Sequence, residues 1–169
     1  MAKVLWFTGL SGAGKSTIAE ALAARLHAQG KTVDIIDGDV VRQTFHKNLG
    51  YSREEIIQNQ RLIIRLVVER MSSFDYILVP VIAPIEALRE EARSKVGSDF
   101  VEVYIHSSEE SRKARDPKGL YKKVEAGEIT DMIGHGGVAY EPPTHPDIVL
   151  DTDTQNLEEC LAQLAGYTD

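Results

Sequence analysis

The chain has 169 residues, room for one α/β core and little else. Its composition, 43% hydrophobic and 27% charged, is that of an ordinary globular protein, and a net charge of −7 excludes a general nucleic-acid or anionic-membrane binder, since both need a basic face. A single cysteine, Cys160, excludes an intrachain disulfide and a cysteine-built metal site.

Apolar β-type runs alternate with helical patterns along the chain. The expected strands are Lys3–Thr8, Thr32–Asp37, Tyr76–Val81, Phe100–His106 and Ile148–Leu150. The expected helices are Lys15–Gln29, Ser52–Met71, Ile85–Val96, Ser108–Arg115 and Thr154–Leu164. Such alternation predicts an α/β fold over residues 1–169 as one domain, with a parallel sheet of about five strands covered by helices on both faces. Residues Asp116 to Pro146 depart from it as a long Gly- and Pro-rich stretch, expected to be a structureless lid or binding loop. No stretch approaches the length of a membrane span, and Met1-Ala2-Lys3 leads straight into a strand, so a cytoplasmic enzyme is expected. Cys160, among Leu157, Leu161 and Leu164, reads as a core residue of an amphipathic helix.

Between the first strand and the first helix, Gly9-Leu10-Ser11-Gly12-Ala13-Gly14-Lys15-Ser16 fits the phosphate-loop pattern GxxxxGK[ST] at every fixed position, with Thr17 next. Glycines let backbone N–H groups converge on phosphate oxygens, and the helix N-terminus adds its positive dipole end. Lys15 then reaches the β- and γ-phosphates of ATP, and the Ser16 hydroxyl is a ligand for Mg²⁺. The second strand ends at Asp37-Gly38-Asp39. Those carboxylates suit a metal, a proton acceptor or a helix N-cap, and Arg42 follows on the same side of a helix opening there. The third strand ends at Val81-Ile82-Ala83-Pro84 without an acidic residue, which leaves Asp37 for Mg²⁺ and Asp39 as base. The NKxD and DxxG patterns of GTPases are missing. Arg115-Asp116-Pro117-Lys118-Gly119-Leu120-Tyr121-Lys122-Lys123 sets four cations where a lid would close over polyphosphate. The histidines show no metal-site spacing; His27 and His46 read as helix-surface residues.

Taken together, GLSGAGKS, DGDxVR, LGYS, Asn59, RDPKGLYKK and AGEI resemble the adenylyl-sulfate kinase family from Gly9 to about Thr152, the RDPKGLYKK block most specifically. The resemblance implies transfer of the ATP γ-phosphoryl to the ribose 3′-hydroxyl of adenylyl sulfate, and it allows a homodimer. It implies Lys15, Asp39 and Lys118 as catalytic, with Asp39 orienting the hydroxyl and Lys118 between the two sets of phosphates. It places Arg115 with the ATP site. For the acceptor it implies Arg42 on the phosphosulfate, Tyr51 stacked on adenine, and Asn59, Ile82, Ala83 and Met132 in the pocket.

Departures from the family pattern fall in the acceptor half. Val40 stands for Asn, Ile56 for an Arg, Ala83 for Ser, Ile85 for Tyr and Met132 for a second aromatic, and the loop 134–141 is one residue longer. Arg53 and Arg61 are the candidates to compensate for the missing cation, and Ile56→Arg is expected to tighten adenylyl sulfate if its pocket is in place. Two alternatives follow: a kinase of another 5′-modified nucleotide, such as a cytidine-linked phosphoramidate, or a non-catalytic nucleotide-sensing domain. Retention of Asp39, Lys118 and the lid cations counts against the second.

Overall fold

The computed structural model describes residues 1–169. Strands β1 (Lys3–Thr8), β2 (Val33–Ile35), β3 (Tyr76–Val81), β4 (Phe100–His106) and β5 (Ile148–Asp151) form one parallel sheet in the order β2-β3-β1-β4-β5. Its helices are α1 (Lys15–Ala28), α2 (Gly38–Phe45), α3 (Arg53–Arg70), α4 (Glu86–Val96), α5 (Glu109–Arg115), α6 (Leu120–Glu125) and α7 (Leu157–Ala165). The expected three-layer architecture is the one observed.

Alternation along β1 explains the layers. Leu5 and Phe7 point to one face, where they meet Ile18, Leu22 and Leu26 of α1 and Leu161 and Leu164 of α7. Val4 and Trp6 point to the other and meet Ile63 and Val67 of α3 and Ala92 and Val96 of α4. A strand apolar on both faces is what a central parallel strand needs. Cys160 is 1% exposed in the first of these clusters, a core residue as expected. Strand order turns at β1, and ligands of such sheets bind beyond the carboxyl ends at that point. The loop from Gly9 to Ser16 starts there.

Two boundaries differ from the sequence expectation by more than one residue, and the lid holds a helix that was not expected. β2 stops at Ile35 because the Asp37 side chain accepts hydrogen bonds from the N–H groups of Asp39 at 2.8 Å and Val40 at 3.4 Å, which starts α2 instead. α7 starts at Leu157, not Thr154, because Asn156 caps it through the Glu159 N–H at 2.9 Å. The lid is not structureless: it contains α6, whose Tyr121 and Lys122 N–H groups donate to the Asp116 carboxylate at 3.1 and 3.2 Å. A side chain closing a turn several residues ahead gives no periodic signal, so composition alone missed that helix.

Candidate active site

Local geometry builds the phosphate loop. Gly9 approaches β4 so closely that a Cβ there would lie 2.6 Å from the Ile105 carbonyl oxygen. Gly12 has φ of 81° and faces the Arg112 carbonyl, where a Cβ would come within 2.9 Å. No side chain caps α1, so its first N–H groups stay available to an anion. Gly9 and Ala13 are buried beneath the loop and give it shape. Ser11, Gly12, Gly14, Lys15, Ser16 and Thr17 line a cleft of about 560 Å³. Leu10 lies outside that lining, and its carbonyl accepts a hydrogen bond from Lys15 Nζ at 3.0 Å.

Burial, with the nearby Lys118 ammonium adding to it, brings Lys15 down to about 8. A lysine lowered in this way loses its charge as pH rises through that value, and bound phosphates favour the charged form. ATP affinity is therefore expected to weaken progressively above pH 8 as binding takes up a proton, while Lys15→Arg shows no such slope. Calorimetric titration of the protein with ATP across pH 7 to 9.5, at roughly constant ionic strength, checks it.

The lid lies closed on this loop. Tyr121 donates its hydroxyl proton to the Ser11 carbonyl at 2.8 Å, and Arg112 Nε donates to the Tyr121 oxygen at 3.3 Å. Arg115 donates to the Gly12 carbonyl at 3.1 Å and to the carbonyl and hydroxyl of Thr152 at 2.9 and 3.0 Å. Lys118 forms an ion pair with Asp39 across the cleft. Thus Lys15, Lys118, Asp39 and Arg115, chosen from sequence, converge on one cavity. Asp37 takes one of the roles considered for it, N-cap of α2, and through Oδ2 it also accepts a hydrogen bond from the Ser16 hydroxyl at 3.1 Å.

Beyond Asp39 the cleft continues between α2, α3 and the end of β3. Arg42, Tyr51, Asn59, Ile82, Ala83 and Met132 all line it. Their environments differ from the simple expectation in detail. Arg42 Nη1 donates to the carbonyls of Leu49 and Gly50 at 2.9 and 2.8 Å, and its guanidinium covers the Tyr51 ring at 4.2 Å. One face of Tyr51 is therefore taken. Asn59 Oδ1 lies 3.0 Å from Nδ1 of His46, which ends α2 instead of standing free on a helix surface. Met132 is 8% exposed in the lid, its carbonyl accepting from the His135 N–H at 2.8 Å.

Sequence reasoning missed Arg89. Its side chain is fully buried, with Nε on Glu102 at 2.9 Å, Nη1 on the Ala83 carbonyl and Nη2 on the Glu141 carbonyl at 2.6 Å. Ala83 has φ of 48°, a left-handed conformation rare for a residue with a Cβ. Arg89 and Thr8, whose hydroxyl donates to the Ile82 carbonyl at 2.6 Å, hold that strained wall against the lid. Burial pushes the Glu102 carboxyl up, opposed by Arg89 and Arg93. Removing one partner of a buried pair leaves the other uncompensated, so Arg89→Met is expected to cost about 3–5 kcal/mol in urea denaturation.

The family described as Adenylylsulphate kinase matches residues 1–151. The chain belongs to the adenylyl-sulfate kinase family. It is 43% identical over 162 residues to an adenylyl-sulfate kinase of Microcystis aeruginosa, covering 95% of this chain and 87% of the relative. A probable adenylyl-sulfate kinase of Archaeoglobus fulgidus is 44% identical over 154 residues, 90% of this chain and 97% of that one. Among solved structures, the Mycobacterium tuberculosis APS kinase in complex with AMPPNP and APS superposes with a TM-score of 0.90 at 33% identity, covering 99% of this chain and 97% of that one. The chain is accordingly an ATP-dependent kinase with the phosphate-loop fold of that family.

Two of the departures from the family pattern, Ile56 and Ile85, lie together. Ile56, Ile85, Leu88 and Ile133 form one small apolar cluster, with Ile56 only 3% exposed. Arg53 and Arg61 do not replace the missing cation: neither lines the cleft, and they pair with Glu141 at 3.9 Å and Glu91 at 3.2 Å. Ile56 packs in that cluster and also lines the cleft, so Ile56→Arg would set a cation into a wall that is now apolar.

Proposed function

We propose that this chain transfers the γ-phosphoryl group of ATP to the 3′-hydroxyl of adenylyl sulfate, giving 3′-phosphoadenylyl sulfate and ADP. The observation that supports it best is the Asp39–Lys118 pair, which spans the cleft between the phosphate loop and the Tyr51 side. In this reading Asp39 leaves Lys118 to orient the acceptor hydroxyl and take its proton. The acceptor oxygen bonds to the γ-phosphorus as the bond from that phosphorus to the β,γ-bridging oxygen breaks, and ADP leaves with the bridging oxygen. Lys15 and the freed Lys118 meet the charge that develops on the transferred group and on the leaving oxygen. Docking of Arg115 and Tyr121 on the loop keeps water from competing for the phosphoryl group.

Ser16 Oγ and the Asp37 carboxylate, 3.1 Å apart, fit Mg²⁺, which takes few protein ligands beside phosphates and waters. When bound there it would neutralise charge on the β- and γ-phosphates. A nucleotide-sensing domain would need neither Asp39 nor Lys118, which favours the catalytic reading. We place the enzyme in the cytoplasm as a single kinase domain over residues 1–169; no helix is long and apolar enough to cross a membrane. The homodimer allowed by family resemblance is part of the same proposal.

Tyr51 offers the acceptor base its ring face opposite Arg42, and Met132 closes the pocket with a polarisable sulfur in place of an aromatic ring. Tyr51→Ala is expected to raise the acceptor KM by roughly tenfold and leave the ATP KM nearly unchanged, as read from initial rates with each substrate varied in turn. An equal rise in both constants would show that Tyr51 does not belong to the acceptor subsite.

A further inference from the structure

Gln60 of α3 is 4% exposed and lines the cleft, one turn beyond Ile56 and three residues before Ile63. Its Oε1 is enclosed and has no hydrogen-bond partner, and a turn of the side chain would bring that oxygen to the cleft that the residue lines. Two other buried side-chain atoms share that condition, Trp6 Nε1 and Ser107 Oγ, yet neither residue lines the cleft. A carbonyl oxygen buried without a donor is costly, and native proteins rarely leave one so. The neighbouring amide makes the contrast clear: Asn59 borders the same cleft, but its oxygen is met by His46.

Ile56 and Ile63 flank Gln60 on α3, and Val81, Ile82, Met132 and Ile133 add to the apolar lining of the same cleft. The cations of the cleft stand elsewhere, Lys15 on α1, Arg42 on α2, and Arg115 and Lys118 at the lid. An anionic group pressed against that wall would lose its water with no opposite charge in return. A neutral group with an N–H donor would satisfy the orphan oxygen.

We infer that Gln60 determines acceptor specificity, its Oε1 accepting a hydrogen bond from an amino group of the acceptor nucleotide. The inference rests on the kinase reading above and adds which chemical group the cleft selects. Such an amino group has two sources: the exocyclic amine of the base, or an amide nitrogen ending the 5′ substituent.

Calorimetric titration of the ADP–Mg²⁺-loaded protein distinguishes them. Wild-type and Gln60→Leu proteins are titrated with two ligand pairs, adenylyl sulfate against its inosine counterpart, and adenosine 5′-phosphoramidate against adenosine 5′-phosphate. Wild type is expected to bind the amino-bearing member of one pair at least about tenfold tighter, and Gln60→Leu to lose that preference. Loss confined to the first pair identifies the base amine, and loss confined to the second identifies the 5′ end. The Tm of Gln60→Leu should equal or exceed that of wild type, because leucine fills the space without an orphan oxygen. Gln60→Met repeats the test should the leucine protein not fold.

The inference is overturned if wild type shows no amino preference, if the variant keeps it, or if the variant loses affinity for all four ligands alike with a lowered Tm. A Gln60-dependent preference in a protein that transfers no phosphoryl group would keep the inference and sink the activity. Turnover of adenylyl sulfate with affinities indifferent to Gln60 would do the reverse.

Discussion

Lys15→Ala is expected to lower kcat with ATP and adenylyl sulfate by at least about a hundredfold, the order of loss seen when a preorganised charge is removed from a developing oxyanion. The reason is positional. Lys15 is held inside the loop by the Leu10 carbonyl at 3.0 Å, beneath N–H groups that face the same phosphates, and no other side chain of the loop carries a positive charge. Lys118 sits across the cleft, just before the Gly119 cap of α6, and cannot occupy both places at once. The fold should be indifferent to the change: loss of a lysine whose charged form is disfavoured by burial removes a small cost, so Tm should not fall. Activity above about a tenth of wild type would show that the phosphates bind elsewhere.

Asp39→Asn keeps the size of the side chain and removes both the negative charge and the proton acceptor. Its expected effect is a fall in kcat of roughly 10²–10⁴, with the ATP dissociation constant nearly unchanged. Asp39 stands in the first turn of α2, whereas the cap of that helix is Asp37, so the substitution leaves the local fold in place. Asp37→Asn should behave differently: it weakens the partner of Ser16 at 3.1 Å, and its signature is a raised Mg²⁺ requirement. Rapid-quench measurement of the chemical step, with ATP affinity measured separately, tests the pair. An unchanged kcat in Asp39→Asn with a collapsed kcat in Asp37→Asn would exchange the two roles.

Sequence carried the donor half of the site almost completely, because a phosphate loop is contiguous and its constraints are local. Gly9 must clear Ile105, Gly12 must take a positive φ, and Lys15 and Ser16 follow at fixed spacing, so a short window contains the whole device. The strands were legible for a similar reason, since burial on both faces writes a continuous apolar run such as Val4 to Phe7. What was not legible depends on pairs far apart in the chain. Arg89 reads as one more charge on a helix until Glu102, Ala83 and Glu141 are brought around it. Tyr121 falls in the stretch expected to be structureless, and its bond to the Ser11 carbonyl, backed by Arg112, exists only once the lid folds back. Ile56 looked like a vacancy for a cation, yet its partners Ile85, Leu88 and Ile133 come from two other segments and fill the space together. The change at position 56 is thus one part of a repacked wall, and a single residue compared with a pattern could not show that.

The measurement that tests the central claim most directly is the identity of the product. Purified protein is incubated with ATP–Mg²⁺ and adenylyl sulfate, and the position of the new phosphate is read by phosphorus–proton correlation NMR. One new phosphate ester coupled to the ribose 3′ proton is expected, formed in equal amount with ADP and far more slowly by Asp39→Asn. ADP formed without an acceptor product, or transfer only to a different nucleotide offered in its place, would contradict it.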